Sequence, residues 1–321
     1  MRAGLHRRSA LSPGLPVLAL LALTGCDPTV TAPTAPRVGP QPRPADLAQP
    51  APESEQSQRM RGYYAKVQAD LLAQGLLRTD GGGQDTPYTD RMLADNFLRI
   101  ALYDEYQRGA AGFSQRETES HLRRWTAPVR VGLRFGDSVP QERRATDRAR
   151  IGSYLAKLAG VTGHPISLSE ASPNFFLHIV NEDERRALAP AINASLPGLS
   201  PAEVAGITEM PPTTYCLVYA LSQDQTGTYT RAFAVIRAEH PDLLRLSCLH
   251  EEIAQGLGLA NDSPRARPSI FNDDEEFALL TTQDELMLKI LYDPRLKPGM
   301  TAAEARPIVQ TIAYEMLGGE S

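Results

Sequence analysis

Cys248-Leu249-His250-Glu251-Glu252-Ile253-Ala254-Gln255-Gly256-Leu257-Gly258-Leu259-Ala260-Asn261-Asp262 is the stretch on which the reading of this chain turns. It continues a helix opened by Pro241-Asp242, with Asp242 as the expected cap. Laid out at about 100° per residue, Leu246, Leu249, Ile253 and Leu257 form an apolar stripe, and Cys248, Glu251, Glu252 and Gln255 share roughly the opposite side. Two acids and an amide on one helix face are where chemistry would sit. Gly258 is expected to end the helix in a left-handed conformation and to send the chain into Leu259–Asp262.

Working outward, helical spacing covers Glu55 to Leu77 and Tyr88 to Arg108, separated by Asp80-Gly81-Gly82-Gly83. That glycine run lacks a preceding strand and a following Lys-Ser/Thr, so it reads as a flexible connection, not a phosphate loop. Val129–Phe135 alternates as a strand, Arg143–Leu158 is helical, and Phe175–Val180, Tyr215–Leu221 and Tyr229–Ile236 read as further strands. Asn181-Glu182-Asp183-Glu184 reads as a solvated turn. Thr282-Gln283-Asp284-Glu285 and Thr301-Ala302-Ala303-Glu304 have the form of capping boxes before two last helices. The order is α+β, with a mixed sheet, a motif helix and a helix-rich end.

The 321 residues carry 33 basic and 38 acidic side chains, and no apolar run reaches the length of a membrane span. Arg2, Arg7 and Arg8 precede the apolar run Leu15–Leu23, which ends in Leu23-Thr24-Gly25-Cys26, the layout of a secretory signal. Leu-Thr-Gly-Cys resembles the lipobox of bacterial lipoproteins. That resemblance implies diacylation of Cys26 and a chain held by lipid on the bacterial cell envelope, facing the periplasm, with inner and outer membrane both open. Removing the three arginines of residues 1–25 would leave 30 basic against 38 acidic residues, a charge of −8 without a basic block, which argues against a nucleic-acid partner. Eight prolines between Asp27 and Pro52 make residues 26–55 a tether. The expected organisation is a signal over 1–25, the tether over 26–55, a helical segment over 56–125 and the main domain over 126–321.

Glu251-Glu252-x-x-Gln255-x-x-Gly258-x-x-Asn261-Asp262 resembles the metzincin zinc-protease signature His-Glu-x-x-His-x-x-Gly-x-x-His-Asp. The frame is kept, but Glu251, Gln255 and Asn261 stand where the three histidine ligands belong, and Glu252 stands where the general base belongs. Starting one residue earlier, at His250-Glu251, puts Ala254 at the second ligand position, and that frame fails. Ser269-Ile270-Phe271-Asn272 is similar to the metzincin Met-turn, with Phe271 in place of the methionine. Leu280–Tyr292 is similar to the last helix of matrix-metalloprotease catalytic domains. The resemblance implies a zincin-like, metzincin-type α+β domain. Over about residues 60 to 300 the chain also resembles the bacterial lipoprotein family termed domain of unknown function 2927, which supplies no activity.

One carboxylate with two neutral amides is a poor zinc site, whereas oxygen donors suit a hard divalent cation such as calcium, magnesium or manganese. Asp262, Asp273 and Asp274 could add oxygens, although Asp273-Asp274-Glu275-Glu276 also reads as a solvated charge run. Two functions follow. One is a noncatalytic binding or envelope-associated module, with no cofactor, that takes an envelope protein or peptide. The other is an unconventional metal-dependent peptidase or amidase, a metallopeptidase-like hydrolase with Glu252 as general base. Cys216 and Cys248, 32 residues apart in an exported chain, are expected to form a disulfide worth roughly 3 to 4 kcal/mol. The competing reading of Cys248 as a nucleophile needs a histidine base, and His250 lies on another side of the helix.

Overall fold

The computed structural model describes residues 53–109, 112–222 and 226–318. The expected signal, the expected lipidation site Cys26 and most of the expected tether lie outside the described residues. Helix α1 (Glu55–Ala73) comes first, capped by the Ser54 side chain. It stops short of the expected Leu77 because Gly75 turns to φ 77°, after which Leu77 is buried and Arg78 bridges to Phe277. Helix α2 (Asp90–Leu102) also ends early. The expected helical residues beyond it form strand β1 (Tyr103–Gly109), paired antiparallel with β2 (Gly112–Glu119). Residues 56–125 are therefore not helical throughout, and they close with the short strand β3 (Arg124–Trp125).

The main sheet adds β4 (Val129–Phe135), β5 (Ile166–Leu168), β6 (Phe175–Val180), β7 (Cys216–Ser222) and β8 (Thr228–Arg237). Its order is β3-β8-β6-β4-β5, all parallel, with β7 antiparallel to β8. β6 pairs with Ala232–Arg237 of β8, and β7 with Tyr229–Ile236. Those stretches overlap, so β7 must lie on the opposite edge of β8 from β6. Among the described residues β7 pairs with β8 alone, which makes it an edge strand.

Strand alternation divides the core between two faces. Phe175, Leu177, Ile179, Ala232, Ala234 and Ile236 point into the larger cluster, with side chains of α3 (Gln141–Thr162), α7 (Asp242–Gln255), α8 (Thr282–Tyr292) and α9 (Ala302–Leu317). Phe233 and Val235 point the other way, towards α5 (Ala189–Ser195) and α6 (Pro201–Thr208). α2 belongs to the larger core: Leu93, Phe97, Leu98, Ile100 and Leu102 are buried, and Asn96 Nδ2 donates to Gln283 Oε1 at 2.9 Å. Asn181–Glu184 is not a solvated turn. Asn181 caps α4 (Glu182–Arg186), where buried Glu182 meets Arg185 and Arg237, each at 2.7 Å.

α1 seats against the start of α7. Ser57 Oγ lies 2.6 Å from Glu239 Oε1, Tyr64 packs its ring edge on His240 at 4.4 Å, and Gln68 Oε1 accepts the Leu244 amide at 3.0 Å. That last bond corrects the expected cap. Pro241 occupies the cap position with no side-chain bond, Asp242 pairs with Arg143 at the surface, and a residue from another helix satisfies one orphan amide of the first turn. The box before α8 is likewise displaced by one residue, to Thr281 with Asp284, whereas Thr301 with Glu304 caps α9 as expected. No helix among the described residues is long and apolar enough to cross a membrane.

Candidate functional site

Helix α7 leaves the sheet after β8, and its inner side is held by Leu249, Ile253 and Ala254, all buried. Its C-terminal carbonyls find side-chain donors: Trp125 Nε1 to Gly256 O at 2.8 Å, and Tyr292 Oη to Leu257 O at 3.1 Å. The helix ends at Gln255, and Gly258 then takes φ 129°. A Cβ at Gly258 would stand 2.2 Å from Arg123 O, so both the backbone angle and the space require glycine.

Cys216 and Cys248 are joined, with their Cα atoms 5.9 Å apart. The disulfide fixes the first residue of β7 to the middle of α7, as the cysteine count leads one to expect, and it removes Cys248 from the nucleophile reading. Glu251 follows one turn later. Burial and the negative charges of Asp262, Glu252, Glu275 and Asp273 hold its carboxyl well above the usual carboxylate range. Glu275 and Asp273 are raised as well, by burial first and then by neighbouring acids of their own run. The Cys216–Cys248 bond sets the Glu251 turn of α7 near the start of the edge strand, and Glu275 lies within electrostatic reach of Tyr215, the residue before β7. Residues 273–276 therefore divide: Glu276 is spent on Arg267 and Arg78, at 2.6 and 3.0 Å, and Glu275 joins the motif face.

Gln255 Nε2 donates to Asp262 Oδ1 at 3.1 Å, which ties the helix end to the turn beyond it. Asn261 is directed elsewhere. Its amide donates to Arg99 O at 3.1 Å and its backbone to Ile100 O at 3.0 Å, so it fastens the turn to the end of α2. Of the three positions aligned with ligands, the structure gathers Glu251 and Gln255 with Asp262 and turns the Asn261 amide towards α2. Among the described residues no three His, Cys, Asp or Glu side chains are grouped so as to hold a metal ion. Glu252 is buried, on the sheet side of the helix, within electrostatic reach of Tyr219 of β7.

Phe271 is fully buried in the cluster that holds Leu249, Ile253 and Leu257. Its turn is anchored by the Asp284 carboxylate, which accepts Ser269 Oγ at 2.6 Å, the Ile270 amide at 3.1 Å and the Thr281 amide at 2.8 Å. Burial pushes that carboxyl up to about 6 against those bonds. His250 is a packing residue. It stacks on Tyr154 with ring centroids 3.9 Å apart, its Nδ1 accepts the Leu280 amide at 3.1 Å, and burial pushes it down to about 3. The Leu280 contact required Nδ1 unprotonated, and nothing in the sequence signals it. Gln68 as a trans-helix cap is equally silent in sequence.

No curated protein and no solved structure matches the chain. A family model described as "Protein of unknown function (DUF2927)" matches residues 90–311, from the first residue of α2 into α9 and across the whole sheet and motif helix. The chain therefore belongs to the DUF2927 family.

Proposed function

We propose that this is a noncatalytic, zincin-like module of the bacterial envelope, held by lipid through Cys26, that captures an extended basic peptide along β7. The observation that carries the reading is the edge strand beside an acid face: β7 pairs on one side only among the described residues, and it is clamped to α7 by Cys216–Cys248 next to Glu251 and Glu275. An edge strand offers a row of backbone donors and acceptors, the surface that strand addition uses. The acids supply the sign of the partner. Glu251, Asp273 and Glu275 resist ionisation where they stand, and a lysine or arginine laid beside them would relieve that strain and gain affinity from it.

The zincin likeness supports the placement. The strand, helix and strand order precedes a glycine-ended motif helix, a tight buried turn at Phe271 and a last helix whose Tyr292 closes on the motif helix. The ligand positions support the noncatalytic side of the reading, since the Asn261 amide holds α2.

The test is fluorescence anisotropy with labelled, extended peptides of basic, neutral and acidic composition, followed by mass spectrometry of the recovered peptide. Saturable binding of the basic set, weakened by salt and by Glu275→Gln, with the peptide recovered intact, supports the proposal. Cleaved peptide, with cleavage lost in Glu252→Gln, would replace it with the hydrolase reading. No preference for basic sequences would sink the charge argument.

A further inference from the structure

A concavity lies at the other end of the sheet from the start of α7, where β4, β6 and β8 begin. It is a groove of about 990 Å³, and none of Glu251, Glu252, Gln255, Asp262 or Glu275 lines it. Val131, Phe175 and Ala232 are registered partners across the three strands. The residues just before them, Arg130, Asn174 and Arg231, therefore form a row on the opposite face, and all three line the groove. With strands about 4.8 Å apart, the two arginine Cα atoms stand about 10 Å from each other, a gap that two guanidinium side chains can close around one group.

Arg130 is held in position. Its Nε donates at 2.7 Å to the carbonyl of Ser172, a non-glycine residue at φ 51°, and the Asn174 side chain accepts the Arg130 amide at 2.7 Å. Arg231 is exposed. Among the described residues no Asp or Glu lines the groove, and neither arginine has a carboxylate partner. In a chain of net charge −5 this is a local excess of two positive charges in a cavity of ligand size.

We infer that this groove binds a phosphoryl group carried on a small polyol. One arginine in its forked geometry saturates the two oxygens of a carboxylate, whereas a phosphoryl group presents oxygens in several directions and suits two guanidiniums approaching from separate strands. Ser222, Thr228 and Thr230 line the same groove and offer hydroxyls to the polyol. Glycerol phosphate has this chemistry, whether free or as the headgroup of an anionic lipid.

Trp125, the single tryptophan of the chain, is among the residues that line the groove, but its ring is buried against Phe175 in the larger core, so binding is read by calorimetry with fluorescence alongside. The full-length chain is titrated with glycerol 3-phosphate, with glycerol, and with vesicles of phosphatidylcholine alone or with phosphatidylglycerol, following the heat of binding and tryptophan fluorescence. A saturable change with glycerol 3-phosphate and none with glycerol supports the site for a soluble ligand; a change with phosphatidylglycerol vesicles alone assigns the same site to the lipid headgroup. Either response should weaken about tenfold or more in Arg231→Gln, an exposed position whose melting temperature should not move, and also in Arg130→Gln. Two results would overturn the inference: no saturable change with any phosphate probe up to ~10 mM, or a response that survives both substitutions intact.

Discussion

Asp147→Asn tests how the motif helix is aimed. Arg245, in the first turns of α7, is 1% exposed; its guanidinium donates to Asp147 Oδ2 at 2.9 Å and to the carbonyls of Ala238 and His240 at 2.5 and 3.1 Å. It thereby joins α3 to the turn between β8 and α7. Asparagine keeps the shape and one acceptor but removes the charge, leaving a buried cation with neutral partners only. Breaking a buried pair from one side costs about 3 to 5 kcal/mol. At about 2 °C per kcal/mol for a domain of this size, the melting temperature should fall by about 6 to 10 °C. Urea denaturation should give the same loss through a lower midpoint at unchanged slope. The double substitution Asp147→Leu with Arg245→Met removes both charges and should recover at least half of the loss, the remainder reflecting two carbonyls left without their donor. A single-variant loss below about 1 kcal/mol, or a double variant that melts at the sum of the two single losses, would refute the claim that the pair is needed to neutralise a buried charge.

Other consequences are as direct. Burial pushes His178 down to about 4 from its ordinary 6.5, so the native fold resists its protonation and loses stability as pH falls below 6.5. Between pH 7.5 and 5 this amounts to about 2 kcal/mol, and His178→Leu should flatten that part of the pH-stability curve by the same amount; an unchanged curve would contradict it. Removing the disulfide in Cys216→Ser/Cys248→Ser should cost roughly 3 to 4 kcal/mol by loop closure, read as a melting temperature lower by roughly 6 to 8 °C, and a loss confined to a degree would count against it. Gly258→Ala should cost about 3 kcal/mol or more, because the residue must both hold a positive φ and clear Arg123 O; a variant as stable as the parent would show that the turn relaxes freely. Glu251→Gln should raise the melting temperature at pH 8, where the carboxylate must ionise among like charges, and should do little at pH 5; equal effects at both would mean that packing and not charge was altered.

Two patterns made the strands of this fold legible: Val129–Phe135 alternates, with Val129, Val131 and Leu133 buried and Arg134 exposed, and Phe175–Val180 is a run buried almost throughout. Val129–Phe135 and Phe175–Val180 form as expected to the residue, and β7 and β8 within one or two. The hairpin Tyr103–Glu119 was not legible, since Tyr88–Leu102 carries a strong helical period that runs on into polar sequence with no proline to stop it. In the site, the shared face of Cys248, Glu251 and Gln255 follows from helix geometry alone, as does the clamp to Cys216 once export is granted. What local pattern could not reveal was the destination of each polar group. Asn261 holds α2, Glu275 turns back to Glu251, and Glu182, which looks like surface in Asn-Glu-Asp-Glu, is the centre of a buried ion network. Each depends on residues tens of positions or more away.

The seat of α1 bears on where this family's folding unit begins. The family match starts at residue 90, after α1 has ended. Glu239 and His240 lie inside it, and what closes over them are Ser57 and Tyr64, which lie outside. A piece cut at the family boundary would keep the acid and the imidazole and discard their cover, and would leave the Leu244 amide to water. Positions 57 and 239 should then change together among relatives, since the hydroxyl at the first is the cover for the buried acid at the second.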